Sequence, residues 1–473
     1  NRVQDPMDHS LSEHFDKLAS KRDQFRQKGK YYHRELEKFL RFLVPKNQKI
    51  VEIGCATGDT LNALEPAEAT GVDISRQMIK IGKEKYPEFD FIQTDGDEVD
   101  LNHSYDVGLI INTIGYFSDI QKELNNLHTY LEKDARLIIV YFSFLWKPIL
   151  RFAEILGLRM PGREKHWLPD EDIQNLLELS GFDLVREERR FLIPFYIPLL
   201  SWICNTFLVH LPIFRSLALN TVFVARKKDE VYKNNPSVSV IIPCRNERGN
   251  IESAIQRLPQ MGSHTEVIYV EGNSQDHTFE ECKRVQKQYA DHDIKVFKQK
   301  NKGKGDAVRL GFDKAIGDIL MILDADLTVP PEDLPKFYEA IYTGTGEFIN
   351  GSRLVYNMES EAMRPLNLMG NKFFSWAFSF LLSQRFRDTL CGTKVLWKKD
   401  YQKIIEGRSY FGDFDPFGDF DLLFGAAKLN LKIVEIPIRY RSREYGETQI
   451  SRFRHGWLLL KMTFFAMKKI KFV

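Results

Sequence analysis

The chain has 473 residues, which is too long for one ordinary hydrophobic core and predicts two or three domains. Charged residues make up 28% and hydrophobic residues 43%, as in ordinary globular proteins, and the formal net charge of +2 argues against a nucleic-acid partner. The five cysteines form no C-x-x-C pair and show no His spacing typical of zinc, which indicates reduced thiols in a cytoplasmic protein.

The first block of the chain predicts an α/β domain over residues 1–226, with helices at its start. A charged helical segment reaches to about residue 45, and apolar strands then alternate with helical stretches. The strands are "KIVEIG", "ATGVDIS", "FDFIQTD", "YDVGLIIN" and "ARLIIVYFS". This alternation is typical of βαβ units and predicts a mostly parallel sheet.

The stretch "VEIGCATGDT" places Gly54 and Gly58 directly after the first strand. Glycines there allow a sharp turn and bring backbone N–H groups close to a ligand. Asp73 follows about twenty residues later, where a carboxylate can accept hydrogen bonds from ribose hydroxyls, and Asp95 ends the third strand. The pattern predicts a nucleoside across the edge of the sheet.

These residues resemble the first motif of class I S-adenosylmethionine-dependent methyltransferases, E-x-G-x-G-x-G, with Ala56 in place of the middle glycine. The resemblance implies a cofactor site for S-adenosylmethionine, and it predicts these contacts: Glu52, Gly54, Cys55, Ala56, Gly58, Asp73, Ile74, Asp95, Gly96 and Asn112. No strong general base is evident, and His166 is the one weak candidate. The alternative is a degenerate domain that only binds or docks.

The longest apolar region is "FLIPFYIPLLSWICNTFLVHLPIF", residues 191–214. Its interior prolines and polar residues make it a poor transmembrane span. Either it packs as a hairpin and cap, or it lies in a membrane interface. No signal peptide is evident in the polar first residues, so we expect a cytoplasmic protein, with a peripheral position at the inner face of the cell membrane left open.

A polar, charged stretch predicts a linker over residues 227–236, before a second α/β domain at residues 237–473. Its apolar strands are "VSVIIP", "EVIYVEG", "DIKVFKQ", "DILMILDAD" and "EFINGSR". A mixed helical region is expected from about residue 364 to residue 430. The fold class is therefore two Rossmann-like α/β domains in one chain.

The apolar strand "MILDADL" ends in Asp324 and Asp326, separated only by Ala325. Two carboxylates at that spacing repel each other and resist burial, so they need a compensating positive charge. Mg²⁺ or Mn²⁺ prefers oxygen ligands and can bridge carboxylates to a nucleotide diphosphate. The pair predicts a metal site at the carboxyl end of the strand.

Five ordered motifs resemble family 2 glycosyltransferases of the GT-A fold: "PCRNE", "EGNSQD", "NKGKGDA", "LDADL" and "YGETQI". "PCRNE", with Asn246, stands for P-x-x-N-E, and the Asp pair is the family's metal motif, with an inverting reaction expected. The resemblance implies nucleotide-sugar contacts at Pro243, Arg245, Glu247, Glu271, Asn273, Asp276, Lys304, Asp306, Asp324 and Ala325. The expected donor is a UDP- or GDP-linked sugar.

Within that family the chain looks most like polyprenyl (dolichyl) phosphate sugar synthases, which implies acceptor contacts at Arg353, Arg364 and Asn371. Thr328 stands where those synthases often have a third metal ligand. A phosphate acceptor needs cations rather than a base, whereas a sugar hydroxyl needs a carboxylate. Asp421, with Asp419 nearby, is the candidate catalytic base. Both acceptor types stay open.

The final segment, "RFRHGWLLLKMTFFAMKKIKFV", mixes basic and apolar residues without an acid. It is either a helix on an anionic membrane surface or a packing helix with solvated lysines. The combined hypothesis is a bifunctional transferase that moves a sugar to a polyprenyl-phosphate or lipid-linked acceptor and methylates within the same glycan pathway. The alternative is transfer to a glycan hydroxyl, with the first domain as a docking module.

Overall fold

The computed structural model describes residues 6–94, 101, 103–228, 235–301, 303–353, 365–388, 391–410, 419–439, 441, 445 and 452–472. Only the backbone is described for residues 6–9, 365–371, 409, 419, 452–456 and 458–459. Two compact units are present: Asn1–Lys228 with Phe472–Val473, and Asp229–Lys471. Residues 229–234 of the predicted linker lie outside the described residues.

The first unit contains a seven-stranded sheet. Its strands are β1 (Lys49–Ile53), β2 (Glu68–Asp73), β3 (Asp90–Gln93), β4 (Tyr105–Ile111), β5 (Leu131–Phe142), β6 (Phe182–Arg190) and β7 (Asn220–Lys227). The order is β3-β2-β1-β4-β5-β7-β6. Strand β7 is antiparallel to both of its neighbours, and the remaining pairs are parallel. The structure contains all five strands expected from sequence and adds β6 and β7.

Ten α-helices are described in this unit: α1 (Pro6–Ala19), α2 (Arg22–Lys28), α3 (Lys30–Leu43), α4 (Asp59–Ala63), α5 (Arg76–Lys85), α6 (Ile120–Tyr130), α7 (Lys147–Ile155), α8 (Asp170–Leu179), α9 (Leu200–Thr206) and α10 (Pro212–Arg215). Helix α3 buries Tyr32, Leu36, Phe39 and Leu43, which recur every three or four residues. This spacing explains why a segment rich in charge still packs as a helix on the domain.

Strand β6 was missed because its sequence, "FDLVREERR", is charged rather than apolar. Its buried charges pair within the sheet: Glu188 bonds to both Arg186 and Arg190. Arg226 on β7 donates two hydrogen bonds to Asp183, at 3.0 and 3.2 Å. Buried charges are tolerated when they are paired in this way, so a polar sequence here still forms a buried strand.

The apolar region 191–214 forms short helical segments, including α9 and α10. Ser201, Cys204, Val209 and His210 are buried, but most of its large apolar side chains face solvent. It therefore does not pack as a fully covered core hairpin. Within the described part of the chain, no helix is long and apolar enough to cross a bilayer.

The second unit also has seven strands: β8 (Val238–Cys244), β9 (Thr265–Glu271), β10 (Asp293–Lys298), β11 (Ile319–Ile322), β12 (Phe348–Ser352), β13 (Lys394–Trp397) and β14 (Ile433–Pro437). Their order is β10-β9-β8-β11-β13-β12-β14. Strand β13, which the sequence did not predict, is antiparallel to β11 and β12. All other pairs are parallel.

Eight α-helices are described here: α11 (Ile251–Arg257), α12 (Thr278–Gln288), α13 (Lys304–Lys314), α14 (Leu334–Tyr342), α15 (Pro365–Leu382), α16 (Lys398–Glu406), α17 (Asp419–Lys428) and α18 (Arg452–Ala466). Each unit has its own apolar core, built around its own sheet. The predicted fold class, two α/β domains in one chain, is confirmed. In each unit the parallel strands end at one edge of the sheet, where open α/β folds bind ligands.

Candidate active sites

The turn after β1 shapes the first site. Gly54 and Gly58 have φ of 77° and 78°, which glycine adopts readily, and Ala56 between them also has a positive φ of 49°. A Cβ on Gly54 would lie 2.2 Å from the Thr113 side chain. The Ala56 N–H donates to Asp73 at 2.8 Å, which holds the turn against β2. Ala56, the departure from the methyltransferase motif, is thus compatible with the turn.

A cavity of about 660 Å³ opens beside this turn. It is lined by seven of the predicted cofactor contacts: Glu52, Gly54, Cys55, Ala56, Asp73, Ile74 and Asn112. Gly58 shapes the turn instead, because a Cβ there would lie 2.7 Å from the Phe91 ring. Asp95 and Gly96 lie outside the described residues. The structure therefore brings most of the predicted site together around one cavity.

Charged groups of the N-terminal helices complete the cavity, and the sequence analysis missed them. Arg22, Arg26 and His33 line it together with Glu52. Burial raises the pKa of Glu52 well above its usual range, and the nearby Arg22 charge opposes that rise. Neither Glu52 Oε2 nor Arg22 Nε has a hydrogen-bond partner among the described residues. The stretch "KRDQFRQKGKYYH", which is rich in basic and aromatic residues, is the sequence feature that could have indicated these cavity residues.

Asn112, at the end of β4, is fixed by two hydrogen bonds. Its Nδ2 donates to the Tyr32 hydroxyl at 3.0 Å, and its Oδ1 accepts from Asn220 Nδ2 at 3.1 Å. Burial raises the pKa of Tyr32 to about 12, so its hydroxyl stays protonated at neutral pH. His166, the weak base candidate, is not among the residues that line the cavity.

The second site lies at the carboxyl end of β11. Lys304, on the first turn of α13, forms an ion pair with Asp324 at 2.6 Å. Burial alone would raise the pKa of Asp324, but the charge and hydrogen bond of Lys304 outweigh it and lower the pKa. Asp326 Oδ1 accepts from the hydroxyl of Thr328 at 2.8 Å and from its N–H at 3.2 Å. Both carboxylates are therefore held in place by a hydrogen-bonding partner.

The donor set at this position suits a hard divalent cation. Asp324, Asp326 and Thr328 offer oxygen atoms only, which Mg²⁺ and Mn²⁺ prefer. The described residues contain no group of three or more His, Cys, Asp or Glu side chains that could hold a metal alone. A cation here would need further oxygens from a bound diphosphate and water, as Mg²⁺ sites on nucleotides commonly do.

The predicted nucleoside contacts meet where β8 and β9 end side by side. Pro243 lies opposite Val270 in the parallel register, and Cys244 lies opposite Glu271. Asp276 accepts from the Arg248 N–H at 3.2 Å, and the side chain of Asn246 accepts from the Gln275 N–H at 2.8 Å.

Other predicted nucleotide-sugar contacts also help to build the loops at the strand ends of the second unit. Glu247 accepts from the Asn250 amide at 2.7 Å, and Asn273 has a φ of 60°. Arg245 is exposed, whereas Ala325 is buried. Asp306 accepts from the Asn301 side chain at 2.9 Å and so fixes the loop that precedes α13.

Arg353, a predicted acceptor contact, and Asp421, the predicted base, each pair with an opposite charge. The Arg353 guanidinium forms a bidentate ion pair with the fully buried Asp388, with hydrogen bonds of 2.6 and 2.8 Å. Asp421 accepts from Arg408 at 2.9 Å and lies 3.8 Å from Arg309. Arg364 and the side chains of Asn371 and Asp419 lie outside the described residues. Sequence reasoning gave no sign of the Asp388 and Arg408 partners.

Comparison with known proteins matches each unit to one family. Residues 25–187 match the family model described as a methyltransferase domain. Residues 239–401 match that of glycosyl transferase family 2. One unit thus carries a family 2 glycosyltransferase domain and the other a methyltransferase domain. The resemblances drawn from sequence motifs are thereby confirmed.

Curated relatives match the chain over less than half of its length. A dolichol-phosphate mannosyltransferase of Pyrococcus furiosus is 30% identical, over 47% of this chain and 64% of its own. An undecaprenyl-phosphate 4-deoxy-4-formamido-L-arabinose transferase of Pectobacterium carotovorum is 34% identical, over 46% and 63%. The low-salt glycan biosynthesis hexosyltransferase Agl6 of Haloferax volcanii is 29% identical, over 47% and 52%. The chain thus spans between half and two thirds of these relatives.

A solved S-adenosylmethionine-dependent methyltransferase from Thermotoga maritima aligns with 46% of this chain and 100% of its own, at 16% identity. Its TM-score of 0.36 is too low for a conclusion about function.

Proposed function

We propose that the second unit transfers a sugar from a UDP- or GDP-linked donor to a polyprenyl-phosphate or other lipid-linked acceptor, with Mg²⁺ or Mn²⁺. The observation that carries this proposal is the Lys304–Asp324 ion pair beside Asp326 at the carboxyl end of β11. Two carboxylates and a lysine at one strand end are suited to a metal–diphosphate group. The matched family and the names of the relatives support the same reaction.

In this proposal Asp324 and Asp326 would hold the metal, which would supply positive charge to offset the negative charge of the departing nucleoside diphosphate. Lys304 binds a diphosphate oxygen, and Asp306 fixes the loop next to it. The loops after β8 and β9 bind the nucleoside through Pro243, Arg245, Glu247, Glu271, Asn273 and Asp276. The order of these loops along the sheet edge would place the base on the β9 side and the reacting sugar near β11.

A lipid phosphate is the acceptor that the site favours. Asp421 is paired with Arg408 and lies near Arg309, so its carboxylate is already engaged by cations of the protein. A phosphate is already anionic and needs only cations to orient it. Arg353 would serve as one of these cations while it shares its guanidinium with Asp388. The rival is a sugar hydroxyl activated by Asp421.

The donor site is tested by titrating the protein with UDP and with GDP in a calorimeter, with and without Mn²⁺. We expect one nucleotide to bind only with the metal and Asp326→Ala to lose that binding. Asp333→Ala is the control, since Asp333 pairs with Lys336 on the surface of the same unit. If neither nucleotide binds in any condition, the proposal for this unit fails.

We propose further that the first unit binds S-adenosylmethionine in its cavity and methylates a product of the same glycan pathway. The support is the 660 Å³ cavity lined by seven predicted contacts. Asp73 would accept from the ribose hydroxyls, and Glu52, whose Oε2 has no hydrogen-bond partner among the described side chains, would accept from the cofactor's ammonium group. The bound cofactor would supply an electrophilic methyl group to the acceptor.

Calorimetry with S-adenosylmethionine and S-adenosylhomocysteine separates this proposal from a docking module that has lost catalysis. We expect both to bind, and Asp73→Asn to weaken both, whereas Asp90→Asn on the exposed end of β3 should not. If neither compound binds, the docking module is favoured. Mass spectrometry of the glycan after incubation with methyl-labelled cofactor then tests the shared pathway, which an unlabelled glycan would contradict.

We also propose that the protein works at the inner face of the cell membrane, since a polyprenyl acceptor would reside there. Two features support this: the exposed Trp457 and Phe464 on helix α18, and the basic residues of the final segment.

A further inference from the structure

Two apolar segments of the first unit leave the sheet at the same edge as the cavity. Strand β5 ends at Phe142 and β6 ends at Arg190, and both residues pair with Asn220, where β7 begins. Residues 143–158 follow β5, and residues 191–219 follow β6, so both start from the carboxyl edge of the sheet. We name these two segments together the apolar rim.

The apolar rim carries its large apolar side chains on the outside. Ile155 and Ile213 are 81% and 79% exposed, and several neighbours are more than half exposed. These neighbours are Phe144, Leu145, Ile149, Phe152, Phe195, Tyr196 and Leu199. Scattered exposed apolar residues are normal on proteins, but a concentration of this size marks a surface that contacts a partner.

In residues 191–219, polar side chains bond to the backbone of the segment itself. The buried Ser201 hydroxyl donates to the Phe195 carbonyl and accepts from the Ile197 N–H, both at 2.8 Å. Asn205 accepts from the N–H groups of Leu192 and Ile193, at 2.8 and 3.0 Å. The segment is therefore a folded element in which side chains of its own bond several of its backbone groups. That arrangement suits an apolar environment outside it.

The charges of the apolar rim are almost all positive. Residues 191–219 contain no acidic residue, and residues 143–158 contain only Glu154, which pairs with Arg159. Lys147, Arg151 and Arg215 supply the positive charge. Exposed apolar side chains among cations match the surface of a bilayer that contains anionic lipids.

The cavity and the apolar rim share residues. Ile149, Phe152, Leu156, Leu158 and Phe195 line the cavity, and each is more than half exposed. The apolar rim therefore forms part of the cavity wall, so a partner that covers the rim also lies next to the cavity.

We propose that the apolar rim docks the first unit on an anionic bilayer, with its apolar side chains in the interfacial region. The cavity then lies next to the membrane. A methyl acceptor would reach the cofactor from the bilayer as an amphiphile with its polar headgroup in the cavity, a consequence that rests on the proposed methyltransferase function.

Site-specific fluorescence tests the docking on the full chain. All five native cysteines are buried, so a cysteine introduced at Ile155 or Ile213 can be labelled selectively with a polarity-sensitive thiol dye. Leu179→Cys is the matched control. Leu179 is 58% exposed, but it ends α8 just before Phe182, at the opposite edge of the sheet. The wild-type chain treated with the dye gives the background.

With vesicles of phosphatidylcholine and phosphatidylglycerol, we expect several-fold brighter, blue-shifted emission from Ile155→Cys and Ile213→Cys, and none from Leu179→Cys. Phosphatidylcholine alone should give a weaker change. If a dye on Phe464→Cys responds while the rim positions do not, the protein binds membranes by α18 alone and the proposal is wrong. Brightening that depends on protein concentration without vesicles would show a second copy of the chain on the rim instead.

Co-sedimentation gives a second measurement that needs no label. Ile155→Ser with Ile213→Ser should weaken binding to the anionic vesicles about tenfold or more, since buried apolar area sets interfacial affinity, whereas Leu179→Ser should not. Neither measurement contains S-adenosylmethionine. A chain that binds the cofactor in solution but does not dock would refute the docking and leave the proposed function standing.

Discussion

Gly392 lies against both charged groups of the second site. A Cβ on this residue would lie 2.0 Å from Asp324 Oδ2 and 2.4 Å from Lys304 Nζ. We predict that Gly392→Ala displaces the pair and weakens metal-dependent nucleotide binding at least roughly tenfold, about 1.4 kcal/mol. Gly407→Ala is the control, because its Cβ would meet nothing closer than 3.6 Å. Calorimetric titration measures the nucleotide affinity of both variants. Equal affinities for the two would show that the Gly392 contact does not shape the donor site.

Asp421 is the residue on which the two acceptor hypotheses differ. If it is a structural partner of Arg408, Asp421→Asn leaves that guanidinium without its carboxylate and lowers the free energy of unfolding by about 2 kcal/mol. Sugar transfer to a polyprenyl phosphate by the folded protein should then fall less than about tenfold. Asp333→Asn, which breaks an exposed pair, should change stability by less than about 1 kcal/mol. Full stability with complete loss of transfer would instead identify Asp421 as the base.

His33 makes the stability of the first unit depend on pH. Burial lowers the pKa of its imidazole to about 3, with the charges of Arg22 and Arg26 acting in the same direction. The unfolded chain binds the proton near pH 6.5, so the folded state loses stability as pH falls from there towards 3. The loss is at most about 1.4 kcal/mol per pH unit. Denaturation at pH 7 and pH 5 should show it, and His33→Gln should reduce the slope; an unchanged slope would contradict the assignment.

At the scale of elements, one carboxylate of α1 ties this helix to the start of α5. Asp16 accepts from the Ser75 hydroxyl at 2.5 Å and from the Gln77 N–H at 3.0 Å, where α5 begins. We predict that Asp16→Ala loosens α1, raises its hydrogen exchange and lowers stability by about 1–2 kcal/mol. Affinity for S-adenosylmethionine should fall with it, because α1 lines the cavity through Phe15. Asp23→Ala is the control. It removes only an exposed ion pair with Lys85, so it should change neither the stability nor the affinity for S-adenosylmethionine.

The sequence could predict some of the strands but not others. Strands β1 to β5 are runs of apolar residues between helical stretches, so periodicity alone located them. Strand β6 is charged, and its burial depends on Arg186, Glu188 and Arg190 pairing with one another. Strand β13 has four residues between long helical regions and gains its partners only from β11 and β12. Contacts between distant residues decide such strands, and one sequence does not display them.

For the sites, short motifs predicted the residues near the chain turns but not their partners. The glycines after β1 and the two aspartates after β11 lie within single motifs, and the structure places them at strand ends as expected. Arg22 comes from a segment with no motif of its own, and the close approach of Gly392 to Asp324 and Lys304 joins segments far apart in sequence. Asp388 and Arg408 were missed for the same reason, although they form ion pairs with Arg353 and Asp421.

At the scale of the whole molecule, the two units have separate cores, one from residues 51 to 225 and the other from residues 238 to 438. We therefore predict two unfolding transitions in scanning calorimetry, each sensitive to one ligand. A ligand at a hundredfold excess over its Kd stabilises its unit by about 2.7 kcal/mol, which raises that unit's Tm by roughly 5–10 °C. S-adenosylmethionine should move one transition, and the nucleotide with Mn²⁺ the other. Asp73→Asn should abolish only the first shift, and Asp326→Ala only the second. A single transition moved by either ligand would mean that the units unfold cooperatively, and the boundary near residue 228 would then divide the sheets but not the folding units.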